Sequence, residues 1–238
     1  MTSIAPLSPL HRQNSPFVPI HRRTHNPPLP YSLVIFDLDG TLVDSFPWFL
    51  RTINDVADRF GFRRVRDEDV EPLRHASTRE ILAHLEVPLW KLPMIGRHMR
   101  RLKAEQAAGI ALFDGTEAML RALADAGLRL ALVSSDSEVN ALMKLGASAA
   151  LFSDYDCSAS LFGKAAKFRR VLRRTGIAPA QTIAIGDETR DIEAARAAGI
   201  ACGAVTWGYA ASQALRKREP DLMFEQIDDI ARALIRDR

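Results

Sequence analysis

Short apolar runs recur along this chain, at Leu33–Phe36, Leu128–Val133, Thr182–Ile185 and Ala201–Val205, and between them apolar residues return every three or four positions. A continuous run of four to six apolar, often β-branched residues predicts a strand covered on both faces, as in a parallel sheet. The helical spacing predicts a helix from Thr116 through Met119, Leu120 and Leu123 to Gly127. Further helices are expected over 138–145, 164–174 and 191–198. Strand and helix alternate, which is the pattern of an α/β, doubly wound, Rossmann-like parallel sheet. A short apolar segment at Ala149–Phe152, and a last strand and helix over 222–224 and 227–235, extend that pattern.

One block departs from it. Residues 46–110 carry helical spacing (Phe49, Ile53, Val56, Ala57 and Phe60 up to Gly61) but no strand signal. A polar, charged connection follows, then Ile81, Leu82 and Leu85, a break at Pro88, and a basic helix over about Met94–Ala108. The block reads as a small all-helical bundle inserted after the first strand. Residues 1–30 hold seven of the thirteen prolines, three histidines, three arginines and no periodic apolar pattern. They are expected to be a disordered extension or a start assigned too far upstream; a targeting peptide or a basic binding tail is the alternative. The expected organisation is therefore 1–30 as an extension, 31–45 with 111–238 as the α/β core, and 46–110 as the helical insertion.

Composition removes several function classes. At 238 residues, 47% hydrophobic and 26% charged, the chain reads as an ordinary globular protein, and no apolar run approaches the roughly 20 residues of a membrane helix. The net charge of +3 comes wholly from Arg12, Arg22 and Arg23, so the remainder sums to zero and offers no overall basic character for nucleic acid. Cys157 and Cys202 form no C-x-x-C pair, which fits free thiols in a reducing, cytoplasmic setting.

Candidate chemistry gathers at predicted strand ends, where open α/β sheets bind ligands. The first strand delivers Asp37-Leu38-Asp39-Gly40-Thr41: two carboxylates, a turn glycine and a hydroxyl. The second ends in Ser134-Ser135, whose hydroxyls can donate to an anion. Leu161-Phe162-Gly163-Lys164-Ala165 places a lysine at a helix start, with Lys167 a competing candidate that the helix should carry away. The strand Thr182–Ile185 runs into Gly186-Asp187-Glu188-Thr189-Arg190-Asp191, and paired acids there suit a hard cation such as Mg²⁺.

These four stretches, in this order, resemble the motifs of the haloacid dehalogenase superfamily of phosphatases, and F-G-K with Thr206-Trp207-Gly208-Tyr209 is similar to its phosphoglycolate phosphatase-like branch. The resemblance implies that residues 46–110 are a cap over the site. It implies that Asp37 is a nucleophile forming an aspartyl-phosphate and that Asp39 is the general acid and base. It further implies that Thr41, Ser134 or Ser135, and Lys164 hold phosphate oxygens. Mg²⁺ would be held by Asp37, the Asp39 backbone carbonyl and Asp187, with Asp191 orienting a metal water or Lys164. Within the cap, Arg74 and His75 lie where related caps face substrate. Arg97, Arg100, Arg101 and Lys103 read as a solvated face, and Trp207 as packing.

The expected activity is Mg²⁺-dependent hydrolysis of a small phosphorylated metabolite, first 2-phosphoglycolate, by a monomer or homodimer without nucleic-acid or membrane partners. Asp39 argues against dehalogenation. A sugar-phosphate mutase and a non-catalytic binding module are the alternatives.

Overall fold

The computed structural model describes residues 31–157 and 163–235. The expectations for residues 1–30 and for Leu161-Phe162 lie outside them. Six strands, β1 (Leu33–Phe36), β2 (Arg129–Ser134), β3 (Phe152–Cys157), β4 (Thr182–Gly186), β5 (Ala201–Val205) and β6 (Leu222–Phe224), form one sheet in the order β3-β2-β1-β4-β5-β6, and all paired neighbours are parallel. β1 sits between β2 and β4, with Phe36 in register with both Leu132 and Ile185. Its carboxyl end is therefore flanked by the ends of two other strands.

The period-two alternation of strand side chains divides the core between the two faces. Val34, Phe36, Leu130, Leu132, Ile183 and Ile185 pack with Met119, Leu120 and Leu123 of α5 (Thr116–Asp125) and with Ile230 and Leu234 of α10 (Ile227–Leu234). Leu33, Ile35, Ala131, Val133 and Ala184 pack with Phe168 and Val171 of α7 (Lys164–Thr175) and Ile192 and Ala195 of α8 (Thr189–Ala198). Apolar residues on both faces explain why these strands read as unbroken runs.

Between β1 and α5 come four helices: α1 (Phe46–Phe60), α2 (Asp67–Arg74), α3 (Thr78–His84) and α4 (Leu92–Glu105). α1 has Pro47 in its first turn and is closed by Gly61 in the left-handed region, an asymmetry suited to each end. Ile53, Val65 and Leu85 form a small buried cluster within this block, ringed by partly buried Phe49, Phe62, Leu73 and Ile81, and Trp48, Val56 and Ala57 of α1 are buried as well. After β2, α6 (Glu138–Leu145) leads to the edge strand β3, and α9 (Ser212–Arg216) lies between β5 and β6. Among the described residues no helix is long and apolar enough to cross a membrane.

Two segments differ from the sequence reading. The connection expected after α1 contains α2, whose acidic first turn (Asp67, Glu68, Asp69) suits a helix N-terminus. The third strand begins at Phe152, where the apolar segment ends, and continues through Ser153-Asp154-Tyr155-Asp156-Cys157, while Gly146–Leu151 is a 3₁₀ turn.

Candidate active site

Asp37 leaves β1 with its backbone N–H donating to Ile185 O at 2.9 Å, so the strand ladder carries past the last apolar residue and fixes the residue at the carboxyl end of this central strand. The residue is buried, 5% exposed. Asp187, at the end of β4, and Asp191, in the first turn of α8, are buried beside it. One carboxylate oxygen from each of the three lies within 4.8 Å of the others.

The backbone around this trio is packed too closely for side chains. A Cβ on Gly40 would come within 2.2 Å of Asp187 Oδ2, and Gly40 has φ +75°. One on Gly208 would meet Asp187 Cβ at 2.3 Å, and one on Gly186 would meet Asp191 Oδ2 at 2.3 Å. Asp187 is held further by the Thr41 hydroxyl, which donates to Oδ1 at 2.9 Å, and by the Tyr209 N–H, which donates to Oδ2 at 2.8 Å. Asp191 Oδ2 accepts the Glu188 N–H at 3.0 Å, as the cap of its own helix.

Lys164 enters from the start of α7, after Gly163 in the left-handed region. It bridges the trio, with Nζ 3.1 Å from Asp37 Oδ2 and 2.5 Å from Asp191 Oδ1. Burial pushes its ammonium down, but Asp191 and Asp37 more than offset this and its pKa is raised. Burial pushes Asp37 up to about 6 even with Lys164 beside it, the charge of Asp191 adding to the effect. Asp187 is driven well above the carboxylate range by burial and then by Glu188, Asp191 and Asp37. Burial also acts upward on Asp191, but Lys164 and Arg190 hold it below its ordinary value. Converging buried acids, two of which (Asp37 and Asp187) resist ionisation, are the electrostatic condition a divalent cation relieves, and an all-oxygen donor set fits Mg²⁺ in particular.

Asp39 turns the other way. Its Oδ2 accepts from Lys103 Nζ at 2.6 Å, and its Oδ1 is buried without a hydrogen-bond partner among the described residues. Lys103 does not join a solvated face. It is 9% exposed, lies 3.2 Å from Asp136 Oδ2, and has its ammonium 5.5 Å above the Trp48 ring. Its pKa is raised: burial acts downward but Asp39 and Asp136 outweigh it. Asp136, two residues past Ser134, is 2% exposed and anchored by Ser137 N–H and by Asn140 Nδ2 at 2.8 Å. Neither Lys103 nor Asp136 stands out in sequence, because the ion pair between them joins segments 33 residues apart.

The other expected residues fall as follows. Ser134 Oγ accepts the Asp136 N–H at 3.0 Å, leaving its own proton to donate. Ser135 lines the cavity described below. Thr41 spends its hydroxyl proton on Asp187, where the sequence reading gave that proton to a phosphate. Arg74 lies on the cavity wall with its guanidinium turned to backbone, Nε to Tyr209 O at 3.0 Å and Nη2 to Gly208 O at 3.2 Å, while Nη1 lies 3.3 Å from Glu71. His75 faces Glu71 at 3.3 Å. Lys167 is not carried away: it is buried, donates to Ser134 O at 2.6 Å, and is held down to about 8 by burial and the nearby Lys164. Trp207 does more than pack, since its indole donates to Thr41 O at 3.1 Å.

Above the carboxylates, between the helical block and the strand ends, lies a cavity of about 590 Å³. Asp39, Ser135, Asp136, Glu188, Thr189, Arg190, Tyr209 and Ala210 of the core stand on its wall, and Lys103 with other side chains of the helical block forms the rest.

Residues 34–205 match the family model of haloacid dehalogenase-like hydrolases. The phosphoglycolate phosphatase of Synechococcus elongatus is 32% identical over 203 residues, covering 84% of this chain and 96% of its own. That of Xanthomonas campestris is 32% identical over 188 residues, covering 74% and 83%. A solved haloacid dehalogenase-like family hydrolase from Streptococcus pneumoniae has TM-score 0.70 at 22% identity, over 84% of this chain and 97% of the other.

Proposed function

This chain belongs to the haloacid dehalogenase-like hydrolases and is a phosphatase, and from that premise we propose that it hydrolyses a small-molecule phosphate monoester through an aspartyl-phosphate on Asp37. The observation that supports this reading is the placing of Asp37 at a central strand end, with Lys164 at 3.1 Å and two further buried acids within one ligand sphere.

In this reading Asp37, Asp187 and Asp191, with the Asp39 backbone carbonyl, would hold Mg²⁺, which when bound offsets negative charge on the phosphoryl oxygens. Lys164 keeps Asp37 and Asp191 apart in charge and presents its ammonium to the same oxygens. A carboxylate oxygen of Asp37 forms a bond to phosphorus as the ester P–O bond breaks, and the leaving oxygen takes a proton from Asp39. A water then gives a proton to Asp39 and its oxygen attacks the phosphorus, freeing the Asp37 carboxylate and inorganic phosphate. The partnerless Oδ1 of Asp39 is the atom suited to both transfers. Ser134 donates to a phosphate oxygen. Thr41 acts by fixing Asp187, and Arg74 by tying residues 46–110 to the Gly208-Tyr209 loop.

The helical block is the cap that encloses these steps. Among substrates, 2-phosphoglycolate enters first through the names of the relatives. The test is phosphate release from a panel of monoesters with and without Mg²⁺, for wild type and Asp37→Asn. Metal-dependent release that vanishes in the variant supports the reading, and release that survives Asp37→Asn overturns it.

A further inference from the structure

We propose that the preferred substrate carries an apolar body, and that this leaving group fills the hollow interior of the helical cap. The inference rests on the phosphatase reading but goes beyond it in naming the chemistry of the alcohol.

The cap's own apolar cluster is small. Trp48, Val56 and Ala57 of α1 are buried, but Ile53, Val65 and Leu85, and the residues packed around them, among them Phe49, Phe62, Leu73 and Ile81, line the cavity of about 590 Å³. Part of the block's interior is therefore open, and Asp39 stands on the wall of the same cavity. A two-carbon acid would leave most of it vacant. An aromatic or branched alkyl group would meet apolar side chains on most sides, and pockets in this volume range take ligands well beyond two carbons.

Charge points the same way. A leaving group with a carboxylate needs a cation to meet it once water is excluded. Three of the four basic side chains on the wall are committed: Lys103 to Asp39 and Asp136, Arg74 to two carbonyls and Glu71, Arg190 to Glu188. The fourth, Arg100, has its Nη1 lying back along α4, 3.3 Å from where a Cβ on Gly96 would stand. Most of the remaining lining is hydrocarbon, among it Phe49, Ile53, Phe62, Leu73, Ile81 and Leu85.

The experiment compares kcat/KM for 1-naphthyl phosphate and hexyl phosphate with that for 2-phosphoglycolate and phosphoserine. It also measures 1-naphthol as a competitive inhibitor and as a ligand that raises Tm. The expected result is a preference of about tenfold or more for the apolar esters, with 1-naphthol inhibiting and stabilising. Ile81→Trp, which fills the cavity from α3, should cut the ratio of naphthyl to glycolate turnover by about tenfold; Leu73→Phe serves the same purpose if the first variant does not fold. A preference for 2-phosphoglycolate that is lost in Arg100→Met overturns the proposal, as does 1-naphthol without effect. If no ester releases phosphate, the hydrolase reading itself fails, and 1-naphthol binding alone then decides whether the cavity takes an apolar group.

Discussion

Lys103 Nζ, from the last turn of α4, lies 2.6 Å from Asp39 Oδ2 at the head of the first loop, a contact between residues 64 positions apart. One ammonium serves two buried acids there, Asp39 and Asp136. The same helix is held to α6 by Asn140 Nδ2, which donates to Arg100 O at 3.1 Å, and Lys144 Nζ donates to Ala107 O at 2.9 Å just beyond it. The lysine thus ties the cap to the residue proposed to move protons.

Lys103→Met is expected to leave two carboxylates buried without their cation, at a cost of about 3 kcal/mol in stability. Thermal unfolding at neutral pH checks this. Because Asp39 also loses the group that holds it in place, kcat should fall on the order of 10²-fold with KM changing less.

Asp37→Asn should lower kcat by about 10⁴-fold or more, as expected for removal of a nucleophile. Single-turnover phosphate release with trapping of an acid-stable phosphoenzyme in wild type, absent in the variant, is the direct check.

The same substitution should raise stability in metal-stripped protein. Asp37 titrates at about 6 when folded against an ordinary 3.8, so between those values the folded chain binds more protons than the unfolded one and stability falls as pH rises. Above about pH 6 the full penalty applies, on the order of 2 to 3 kcal/mol from the size of the shift. Tm of Asp37→Asn should therefore exceed that of wild type at pH 8, and the gap should close towards pH 4. Adding Mg²⁺ should reverse the order, because the wild type then gains binding energy that the variant partly lacks.

Thr41→Val removes the hydroxyl that donates to Asp187 Oδ1 at 2.9 Å. Apparent Mg²⁺ affinity, read as the metal dependence of Tm, should fall about tenfold or more, while Thr41→Ser should retain it. A phosphate-binding role would instead raise KM and leave metal affinity unchanged.

The sequence showed most clearly what is buried on both faces. β1, β2, β4 and β5 could be read because a central parallel strand has no solvent side to carry polar residues. β3 was only half legible: as the sheet's edge it exposes Ser153 and alternates Asp154, Tyr155 and Asp156, a pattern without an apolar run. α2 escaped because its eight residues include Pro72 and bury only Asp69. The acids of the trio were visible from their places after strands. Lys103 was not, since Arg97, Arg100 and Arg101 beside it gave the helix a basic look, and the two acids that bury it come from loops 64 and 33 residues away. Local pattern records which way a side chain can point, and a lysine's partner across a cleft leaves no trace in it.

The glycines that crowd the acidic trio have a consequence for how this chain can change over generations. Gly40, Gly186 and Gly208 each lie where any side chain would strike a carboxylate of Asp187 or Asp191. Every missense change at those three codons is therefore a change to the site, although the residues contribute no functional group. Inherited variation should be scarcest there and plentiful on the cap's inner wall, where a swap of one apolar residue for another reshapes the cavity and leaves the acids in place. A lineage of such chains can drift from one alcohol to another while its phosphate chemistry stays fixed by residues that have no side chain at all.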